Sequence, residues 1–405
     1  MMEATEEDRA FVAYCQNLSQ FRCFFRMRNG LAARGWILVV VTHVFSVWLN
    51  AHNSGISCFL LRSGKGAERR SALVPAEAIE WTGKPASTKS AVEFQAAIWS
   101  ALSRTSQLFR VRAIGLWNGL TLAGQTAAAF AKAHSVCTVY FELGNIEPKL
   151  FVDPEGVNAA SRVARLPELL NEWDITDGEV AKWKRDFIKR NQRVQSLPQA
   201  RILRKVNAWF PVDWLGAKML RIPQPYRTSL FKKILSKIDL GLFVKAPDIR
   251  PTVSYVFLPL QVSSDTNLLL FSDYNNLAAI AFAETRAAER SCRLVVKPHP
   301  AEPDFALLRE ITALCRQRNH LMTSYNTTEL ILGAEEVITI NSTVGLEAIL
   351  LDKKVTILGR SLYGAFSKRQ AAAYVLRHLV DFDPFGSEQM SAEAVDRILS
   401  VVGAC

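Results

Sequence analysis

The sequence predicts an α/β protein with two Rossmann-like domains that face a cleft and are separated by a helical, basic insertion. Three observations lead to this prediction. Short β-branched runs alternate with helix-forming segments before residue 166 and again after residue 250, which is typical of parallel sheets with crossover helices. Strand-like runs disappear between these regions. A chain of 405 residues also favours two domains over one.

The domain boundaries follow the same change in composition. We predict a first domain over residues 1–165, an insertion over 166–250 and a second domain over 251–405. Apolar residues near helical spacing predict that residues 1–34 are helical. The other elements predicted in the first domain are Trp36–Val41, Ser57–Leu61, Ala91–Leu108, Val111–Trp117, Leu120–Ala133 and Cys137–Phe141. Those predicted in the second are Tyr255–Leu260, Asn275–Glu289, Arg293–Lys297, Asp304–Arg318, Val337–Ile340, Thr343–Leu350, Lys354–Leu358 and Ala392–Val402.

Positive charge is concentrated in the insertion. The formal net charge is +11, and residues 181–240 contain fifteen Lys and Arg against three acidic residues. Tryptophan and tyrosine are interleaved with these cations, which suits the headgroup region of an anionic membrane. We therefore predict contact with the anionic inner-membrane surface; the alternative is a solvated helical insertion with its own small core. No nucleic acid is expected as a partner, because no groove-reading motif is present.

Cysteine usage and the start of the chain bear on compartment and metal chemistry. The seven cysteines lack C-x-x-C spacing, which predicts reduced structural thiols in a cytosolic protein and no metal site. Residues 1–8 are acidic and polar, unlike a signal or transit peptide. The apolar run over 35–51 is too short and too polar to span a bilayer. We predict a cytoplasmic protein that is peripheral to the inner face of the cytoplasmic membrane.

Two strand ends in the second domain carry groups that suit an anionic ligand. Leu294-Val-Val-Lys-Pro-His-Pro300 places His299 between two prolines, with Lys297 close by. Val337-Ile-Thr-Ile-Asn-Ser-Thr343 delivers three polar residues to a helix N-terminus, where hydroxyls and free amides bind phosphate. A turn histidine and an ordinary N-cap are the alternatives. Glu347, one turn into the helix, could take a ribose hydroxyl. The pair of segments predicts a bound nucleotide or nucleotide-sugar.

Two further strand ends carry carboxylates. Glu142 follows a strand of the first domain, and Asp265 follows the first strand of the second domain together with Gln261. Carboxylates from opposing domains fit a glycosyl transfer with nucleophile and acid/base roles. A solvated strand-end glutamate and a helix-capping aspartate are the alternatives.

Five motifs in chain order resemble the bacterial capsule polysaccharide biosynthesis proteins of the KpsS/KpsC type, which are β-Kdo transferases that use CMP-Kdo. The motifs are Phe141-Glu-Leu-Gly-Asn145, Asp153-Pro-Glu-Gly-Val-Asn158, Pro259-Leu-Gln-x-x-x-Asp265, Lys297-Pro-His-Pro300 and Asn341-Ser-Thr-Val-Gly-Leu-Glu-Ala348. The His-Pro and Ser/Thr elements are also similar to those of bacterial polysialyltransferases, which use CMP-sialic acid. The resemblance covers roughly residues 140–365.

The resemblance implies a GT-B fold in which the second domain holds CMP, an architecture to which the element order is also analogous. Asp265 would then be the nucleophile of a retaining transfer and Glu142 the acid/base. No cofactor and no metal are predicted, because cationic and amide donors can neutralise a single phosphate leaving group. The implied donor-binding residues are Gln261, Lys297, His299, Asn341, Ser342, Thr343 and Glu347. The residues predicted on the acceptor side or in the cleft are Asn118, Asn145, Asp153 and Asn158.

These observations leave three hypotheses open. The first is transfer of Kdo from CMP-Kdo to a lipid-linked or glycan acceptor in capsule or lipopolysaccharide assembly, with retention. The second is a sialyltransferase or polysialyltransferase that uses CMP-sialic acid on the same scaffold. The third is a non-catalytic, membrane-associated component of a polysaccharide export complex.

Overall fold

A computed structural model describes residues 9–62, 78, 88–146, 148–193, 209–225 and 246–403. The chain divides into two compact units, each of which contains a β-sheet. The first unit comprises Met1–Arg162, Asn207–Leu230 and Leu379–Cys405, and the second comprises Val163–Val206 and Phe231–His378. The α/β class with parallel sheets is therefore confirmed.

The strands and helices are numbered here along the chain. The strands are β1 Arg9–Cys15, β2 Trp36–Thr42, β3 Cys58–Leu60, β4 Arg110–Trp117, β5 Cys137–Leu143, β6 Leu150–Asp153, β7 Tyr255–Pro259, β8 Arg293–Lys297, β9 Leu321–Met322, β10 Glu336–Thr339 and β11 Val355–Ile357. The helices are α1 Leu18–Phe25, α2 Arg28–Ala32, α3 Phe45–Asn53, α4 Thr88–Leu108, α5 Leu122–Ala133, α6 Arg162–Arg165, α7 Asp177–Arg193, α8 Phe210–Met219, α9 Thr266–Phe271, α10 Asn276–Glu289, α11 Phe305–Gln317, α12 Thr327–Gly333, α13 Thr343–Leu350, α14 Lys368–Ala373 and α15 Ala392–Gly403.

The sheet of the first unit has the strand order β3-β2-β1-β4-β5-β6. Strands β1 to β5 run parallel, and β6 pairs with β5 antiparallel. The order reverses between β1 and β4, and in open α/β sheets ligands bind outside the carboxyl ends of the strands at such a point. Both faces of β1 are buried: Phe11 belongs to one apolar cluster and Val12 to the other.

Strand β1 corrects the prediction that residues 1–34 are helical. The segment Ala10-Phe-Val-Ala-Tyr-Cys15 is buried on both sides because it lies at the centre of the sheet. A continuous apolar run of this length does not distinguish a central strand from a buried helix by periodicity. Helices α1 and α2, which follow it, agree with the prediction.

The sheet of the second unit has the order β11-β10-β7-β8-β9, and all of its described pairings are parallel. Its order reverses between β7 and β10, so the second unit has a switch point of the same kind as the first. The strands are β-branched and apolar because helices cover both faces. Apolar residues of α10 lie on one face, and those of α12 and α13 lie on the other.

In the last part of the sequence, the division into units differs from the predicted domain boundaries. Helix α15 was predicted in the domain over 251–405, but the structure places it in the first unit. Its Val395 and Ile398 are buried with Phe11 and Phe24 of that unit. The backbone bridge between Leu150 and Val380 returns the chain to the first sheet before this helix begins.

The predicted insertion is also shared between the units. Helix α7 belongs to the second unit, where Trp183 and Phe187 pack into an apolar cluster, and helix α8 belongs to the first. Much of the basic stretch over 181–240 lies outside the described residues.

Candidate functional site

The switch point of the second sheet is occupied by a reciprocal pair of side-chain amides. Gln261, after β7, donates from Nε2 to Oδ1 of Asn341 at 2.8 Å. The Asn341 N–H, after β10, donates back to Gln261 Oε1 at 3.0 Å. Asn341 Nδ2 also donates to the carbonyls of Asn267 and Arg360 at 2.9 and 3.2 Å. Both side chains are buried, and this arrangement makes them positioning residues for the surrounding loops.

Asp265 lies in the loop that follows β7, at the N-cap of α9. Its carboxylate accepts the Asn267 N–H at 2.8 Å. Burial raises the pKa of Asp265 above its usual range, while the Asn267 hydrogen bond and nearby His299 oppose that increase. The carboxylate is half-buried and keeps contact with solvent. Asp265 therefore caps a helix and also interacts electrostatically with His299. Its role as a nucleophile stays a prediction.

His299 is oriented by the backbone that follows it. Its Nδ1 accepts the Ala301 N–H at 3.1 Å. Burial lowers the pKa of His299, and Asp265 and Glu302 partly offset that decrease. Because Nδ1 accepts a hydrogen bond, the proton of the neutral imidazole is on Nε2. No hydrogen bond to a described residue satisfies Nε2, so this N–H is available as a donor.

Glu302 is a residue of this edge that the sequence prediction missed. It is 7% exposed and accepts from the Ser263 N–H and Oγ, both at 2.7 Å, and from the Asp304 N–H at 2.9 Å. It thus ties the loop after β7 to the loop after β8. An acidic residue between Pro300 and Pro303, three residues after the histidine, was the available signal.

Ser342 begins helix α13 as predicted. Its Oγ accepts the Val344 N–H at 3.3 Å. The helix N-terminus, with half-buried Thr343, lies at the carboxyl end of β10 and presents the positive end of the helix dipole there. A Cβ on Gly345 would lie 2.3 Å from Tyr363 Oη and 2.9 Å from Thr339 Cγ2. This glycine is therefore required for packing of the helix on the strand.

Glu347, on this helix, and Lys297, at the end of β8, each favour the charged form of the other. Burial raises the pKa of Glu347 to about 7, against the opposing charges of Arg190 and Lys297. Burial likewise lowers the pKa of Lys297 to about 8, against the opposing charges of Asp248 and Glu347. The Lys297 ammonium donates to the backbone carbonyls of residues 324 and 325. The pair can supply a cation and a carboxyl that changes protonation near neutral pH.

Glu142 and Asn118 meet at the carboxyl edge of the first sheet. Glu142 Oε2 accepts from Asn118 Nδ2, and Oε1 accepts from the Leu143 N–H at 2.9 Å. Asn118 has φ +65° and Gly119 has φ +77°, so the chain turns sharply after β4. The Asn118 N–H donates to the Phe141 carbonyl at 2.7 Å. The turn thus fixes the orientation of the carboxylate at a strand end.

Asp153, which was predicted on the acceptor side or in the cleft, is buried in the structure. It is 2% exposed, and its Oδ1 accepts the N–H groups of residues 155, 156 and 162 at 2.8, 3.1 and 3.0 Å. Because β6 is antiparallel, Asp153 pairs with Tyr140 and lies further from the carboxyl edge than Glu142. Asp153 is thus a buried anchor of the loop that follows.

The two other asparagines predicted on the acceptor side lie in loops. Asn145 follows β5 and is half-buried. Asn158 has φ +54°, and its carbonyl accepts from Ser161 Oγ at 2.8 Å. Their predicted contact with an acceptor stays a prediction.

His43 is a second residue that the sequence prediction missed. It follows β2 at the carboxyl edge of the first sheet, and its Nδ1 lies 3.0 Å from the Tyr14 hydroxyl. The Phe94 ring and the imidazole pack edge to face at a centroid distance of 5.1 Å. Burial lowers the pKa of His43 to about 4, so the imidazole is neutral at physiological pH. Because residues 1–34 were predicted to be helical, the strand that carries Tyr14 was not predicted.

Two features of the described residues bear on metal binding and membrane crossing. No group of three or more His, Cys, Asp or Glu side chains among them is arranged to hold a metal ion. No helix in this part of the chain combines the length and apolar character needed to cross a membrane.

Comparisons with known sequences identify a family and two relatives. The sequence model for the family "Capsule polysaccharide biosynthesis protein" matches residues 112–367. The chain is 25% identical over 261 residues to "Capsule polysaccharide export protein KpsS" of Escherichia coli, a match covering 58% of this chain and 64% of that protein. It is 37% identical over 122 residues to "Protein FixF" of Sinorhizobium fredii (strain NBRC 101917 / NGR234), covering 29% and 28%. The chain thus spans less than two thirds of the length of each of these relatives.

Solved structures show more distant similarity. The β-Kdo 2,7 transferase of Thermosulfurimonas dismutans KpsC aligns with TM-score 0.44 and 15% identity, over 97% of this chain and 99% of that one. The β-Kdo 2,4 transferase of the same protein aligns with TM-score 0.40 and 17% identity, over 73% and 88%. A UDP-GlcNAc 2-epimerase of Methanocaldococcus jannaschii aligns with TM-score 0.33 and 10% identity, over 98% and 100%.

Proposed function

This chain belongs to the capsule polysaccharide biosynthesis protein family, and we propose that it is a glycosyltransferase that moves Kdo from CMP-Kdo to a lipid-linked or glycan acceptor. The observation that carries the proposal is the carboxyl edge of the second sheet. There the His299 turn follows β8 and the N-terminus of α13 follows β10, on either side of β7, and Asp265 interacts electrostatically with His299. The site lies at the switch point of the sheet, where α/β folds bind nucleotides.

In this proposal the second unit binds the CMP moiety. The single phosphate of CMP accepts the His299 Nε2–H and lies near the positive end of α13, with Ser342 and Thr343 at its first turn. Glu347 binds the ribose hydroxyls as acceptor or donor, because its pKa of about 7 gives access to both protonation states. Gln261 and Asn341 hold the loops that carry these groups.

The proposed chemistry is a double displacement. Asp265 attacks the anomeric carbon and forms a covalent glycosyl–enzyme bond, while the bond to the phosphate oxygen breaks and CMP leaves with that electron pair. The acceptor hydroxyl then attacks the same carbon and releases Asp265, and its proton passes to Glu142. Two inversions retain the β configuration. Asp265 must be ionised to attack, and the Asn267 N–H stabilises its anionic form.

The test is turnover of the donor by the purified chain. With CMP-Kdo and a Kdo-terminated or lipid-linked glycan acceptor, we expect CMP release and a β-linked product by NMR. A competition between CMP-Kdo and CMP-sialic acid separates the proposal from the sialyltransferase or polysialyltransferase alternative. Preferential consumption of CMP-sialic acid contradicts the proposed donor, and failure to consume either donor with any acceptor contradicts glycosyl transfer.

A second candidate function is a non-catalytic, membrane-associated component of polysaccharide export. The name of the E. coli relative, an export protein, favours this alternative. The oriented Glu142 and the Asp265–His299 arrangement favour the enzyme, because a binding module has no need of positioned carboxylates. An absent CMP-induced thermal shift supports the export component, whereas a clear shift supports the enzyme.

The cellular setting belongs to the same proposal. We place the protein at the inner face of the cytoplasmic membrane, where a lipid-linked acceptor in capsule or lipopolysaccharide assembly would be available. The basic composition of residues 181–240 motivates this placement. Fractionation of cells into cytosol and membrane, with a high-salt wash of the membranes, tests it.

A further inference from the structure

Exposed apolar side chains are concentrated on one short helix of the first unit. Of the thirteen large hydrophobic side chains that are exposed in the described residues, five lie within 212–220. They are Val212, Trp214, Leu215, Met219 and Leu220. Met219 is 74% exposed, which is the highest value among the thirteen. Helix α8 and its last turn therefore present an apolar face that the described residues leave in solvent.

The opposite side of α8 is anchored to the first unit. The Asp213 carboxylate accepts the Ser46 N–H at 2.7 Å, at the start of α3. Gly216 lies so close to the Phe45 ring that an added Cβ would meet it at 2.3 Å. Ala217 and Ile222 pack into the apolar cluster that also contains Tyr14. Because these contacts fix the rotation of the helix, the exposed face is a fixed feature of the unit.

The charges on this helix are arranged asymmetrically. Its acidic residue, Asp213, is used in the contact with α3. Its lysine, Lys218, is exposed and lies over the Trp214 ring at 4.0 Å from the centroid. The exposed face thus combines tryptophan, aliphatic side chains and a cation without an accompanying carboxylate. This combination suits the interface of an anionic bilayer, where aromatic and apolar groups insert and cations meet phosphate.

We propose that the outer face of α8 inserts into the interface of an anionic bilayer and docks the first unit there. The size of the face favours a bilayer over a second copy of the chain. Its five side chains expose on the order of 400 Å², about half of the ~800 Å² that each partner buries in a stable protein interface. A bilayer needs no matching surface. The net charge of +11 also favours an anionic bilayer over a second copy of the same cationic chain.

Vesicle flotation tests the proposal with the full chain and no sugar donor present. The wild type is expected to float with phosphatidylcholine vesicles that contain phosphatidylglycerol. The double variant Leu215→Ser/Met219→Ser is expected to bind about tenfold more weakly, because it removes two inserting side chains. Lys218→Gln is expected to weaken binding about fivefold on anionic vesicles and to have little effect on pure phosphatidylcholine.

A matched control removes the same kind of side chain elsewhere in the first unit. Val92 and Leu108 are also exposed, and both lie on α4. Val92→Ser/Leu108→Ser is expected to float like the wild type. Vesicles with brominated acyl chains give a second readout, because they should quench wild-type tryptophan fluorescence more strongly than that of Trp214→Phe.

The outcomes separate the possible occupants of the face. Equal flotation of the wild type and the α8 double variant overturns the proposal, as does absence of wild-type flotation. A wild-type dimer that the double variant dissociates, without a change in flotation, assigns the face to a second copy. A large fall in melting temperature in the double variant, with no flotation of the wild type, assigns it to another segment of the same chain. CMP release with a soluble acceptor is expected to survive in the double variant. Flotation is measured without a sugar donor, so its result does not depend on the glycosyltransferase proposal.

Discussion

The two sheets share a strand order around their switch points, but their carboxyl edges are stabilised differently. In the second unit, side chains link separate loops to one another: Gln261 pairs with Asn341, and Glu302 accepts from Ser263. In the first unit, Glu142 is held by Asn118 of the adjacent turn and His43 by Tyr14 of the neighbouring strand.

The difference bears on the proposed assignment of the nucleotide to the second edge and of the acceptor to the first. A small, invariant nucleotide is bound well by a preorganised edge whose loops are crosslinked, because little conformational entropy remains to be lost. The second edge fits that description. The first edge carries groups held in pairs, Asn118 with Glu142 and Tyr14 with His43, and the proposal assigns the acceptor to it.

Asp265→Asn is expected to have the largest effect. Asparagine retains an acceptor for the Asn267 N–H and remains a good N-cap, so the fold is expected to survive. It cannot act as a nucleophile, and we expect CMP-Kdo turnover to fall by about a thousandfold or more. Assays of CMP release, stopped at fixed times, measure the turnover.

Asp304→Asn is the matched control for that change. Asp304 is also an N-cap, accepting the Ala306 and Leu307 N–H groups at 3.0 Å, but it is exposed at the start of α11. It is expected to retain wild-type turnover. Equal activity of the two variants would remove Asp265 from the reaction and leave it as a helix cap.

The raised pKa of Glu347 predicts a pH dependence of stability at the second edge. A carboxyl with a folded pKa of about 7 and an ordinary unfolded pKa near 4.5 binds more protons in the folded state between these values. Unfolding free energy from this group therefore falls as pH rises from 4.5 to 7, by on the order of 3 kcal/mol. Below 4.5 both states are protonated, and above 7 both are ionised.

Glu347→Gln isolates that contribution. The variant lacks the titrating group, so its stability relative to the wild type is expected to improve as pH rises through the same window. Urea unfolding of both proteins at pH 5 and pH 7.5 measures the change. A constant difference between the two proteins would mean that burial does not raise the pKa of Glu347, and that the second edge is more open.

Glu302→Gln tests the crosslink between loops. The carboxylate accepts three hydrogen bonds in a buried site, and its replacement by an amide leaves one N–H or O–H donor without an acceptor. We expect a loss of about 2 kcal/mol in unfolding free energy. Glu310→Gln, at an exposed position of α11, is the control and is expected to change stability little. If Glu302→Gln were as stable as the wild type, the crosslink would contribute nothing to the stability of the second edge.

The sequence was sufficient for features that depend on neighbouring residues. The Lys-Pro-His-Pro turn, the Ser342 cap and the strand-end position of Glu142 follow from local patterns, and the structure contains all three. The alternation of strands and helices also predicted both sheets. Local patterns are informative here because turn and cap chemistry is decided within a few residues.

Features that depend on distant residues could not be predicted in the same way. Gln261 and Asn341 are 80 residues apart, and Ser263 and Glu302 are 39 apart. Their pairing follows from the strand order, which periodicity does not specify. The burial of Asp153 depends likewise on the antiparallel direction of β6. Strand β1 was missed because a central strand and a buried helix have the same apolar composition.

A matched pair of histidine variants tests the contrast between the edges most directly. In His299→Asn, the side-chain oxygen can still accept the Ala301 N–H, but the Nε2–H donor is lost. We expect CMP to bind about tenfold more weakly by calorimetry, since one hydrogen bond to a charged group is removed. His43→Asn likewise keeps a partner for the Tyr14 hydroxyl. It is expected to leave CMP affinity unchanged, because the proposed CMP site belongs to the second unit. If His43→Asn instead weakened CMP binding, the nucleotide would contact the first edge, and the assignment of donor and acceptor to separate edges would be wrong.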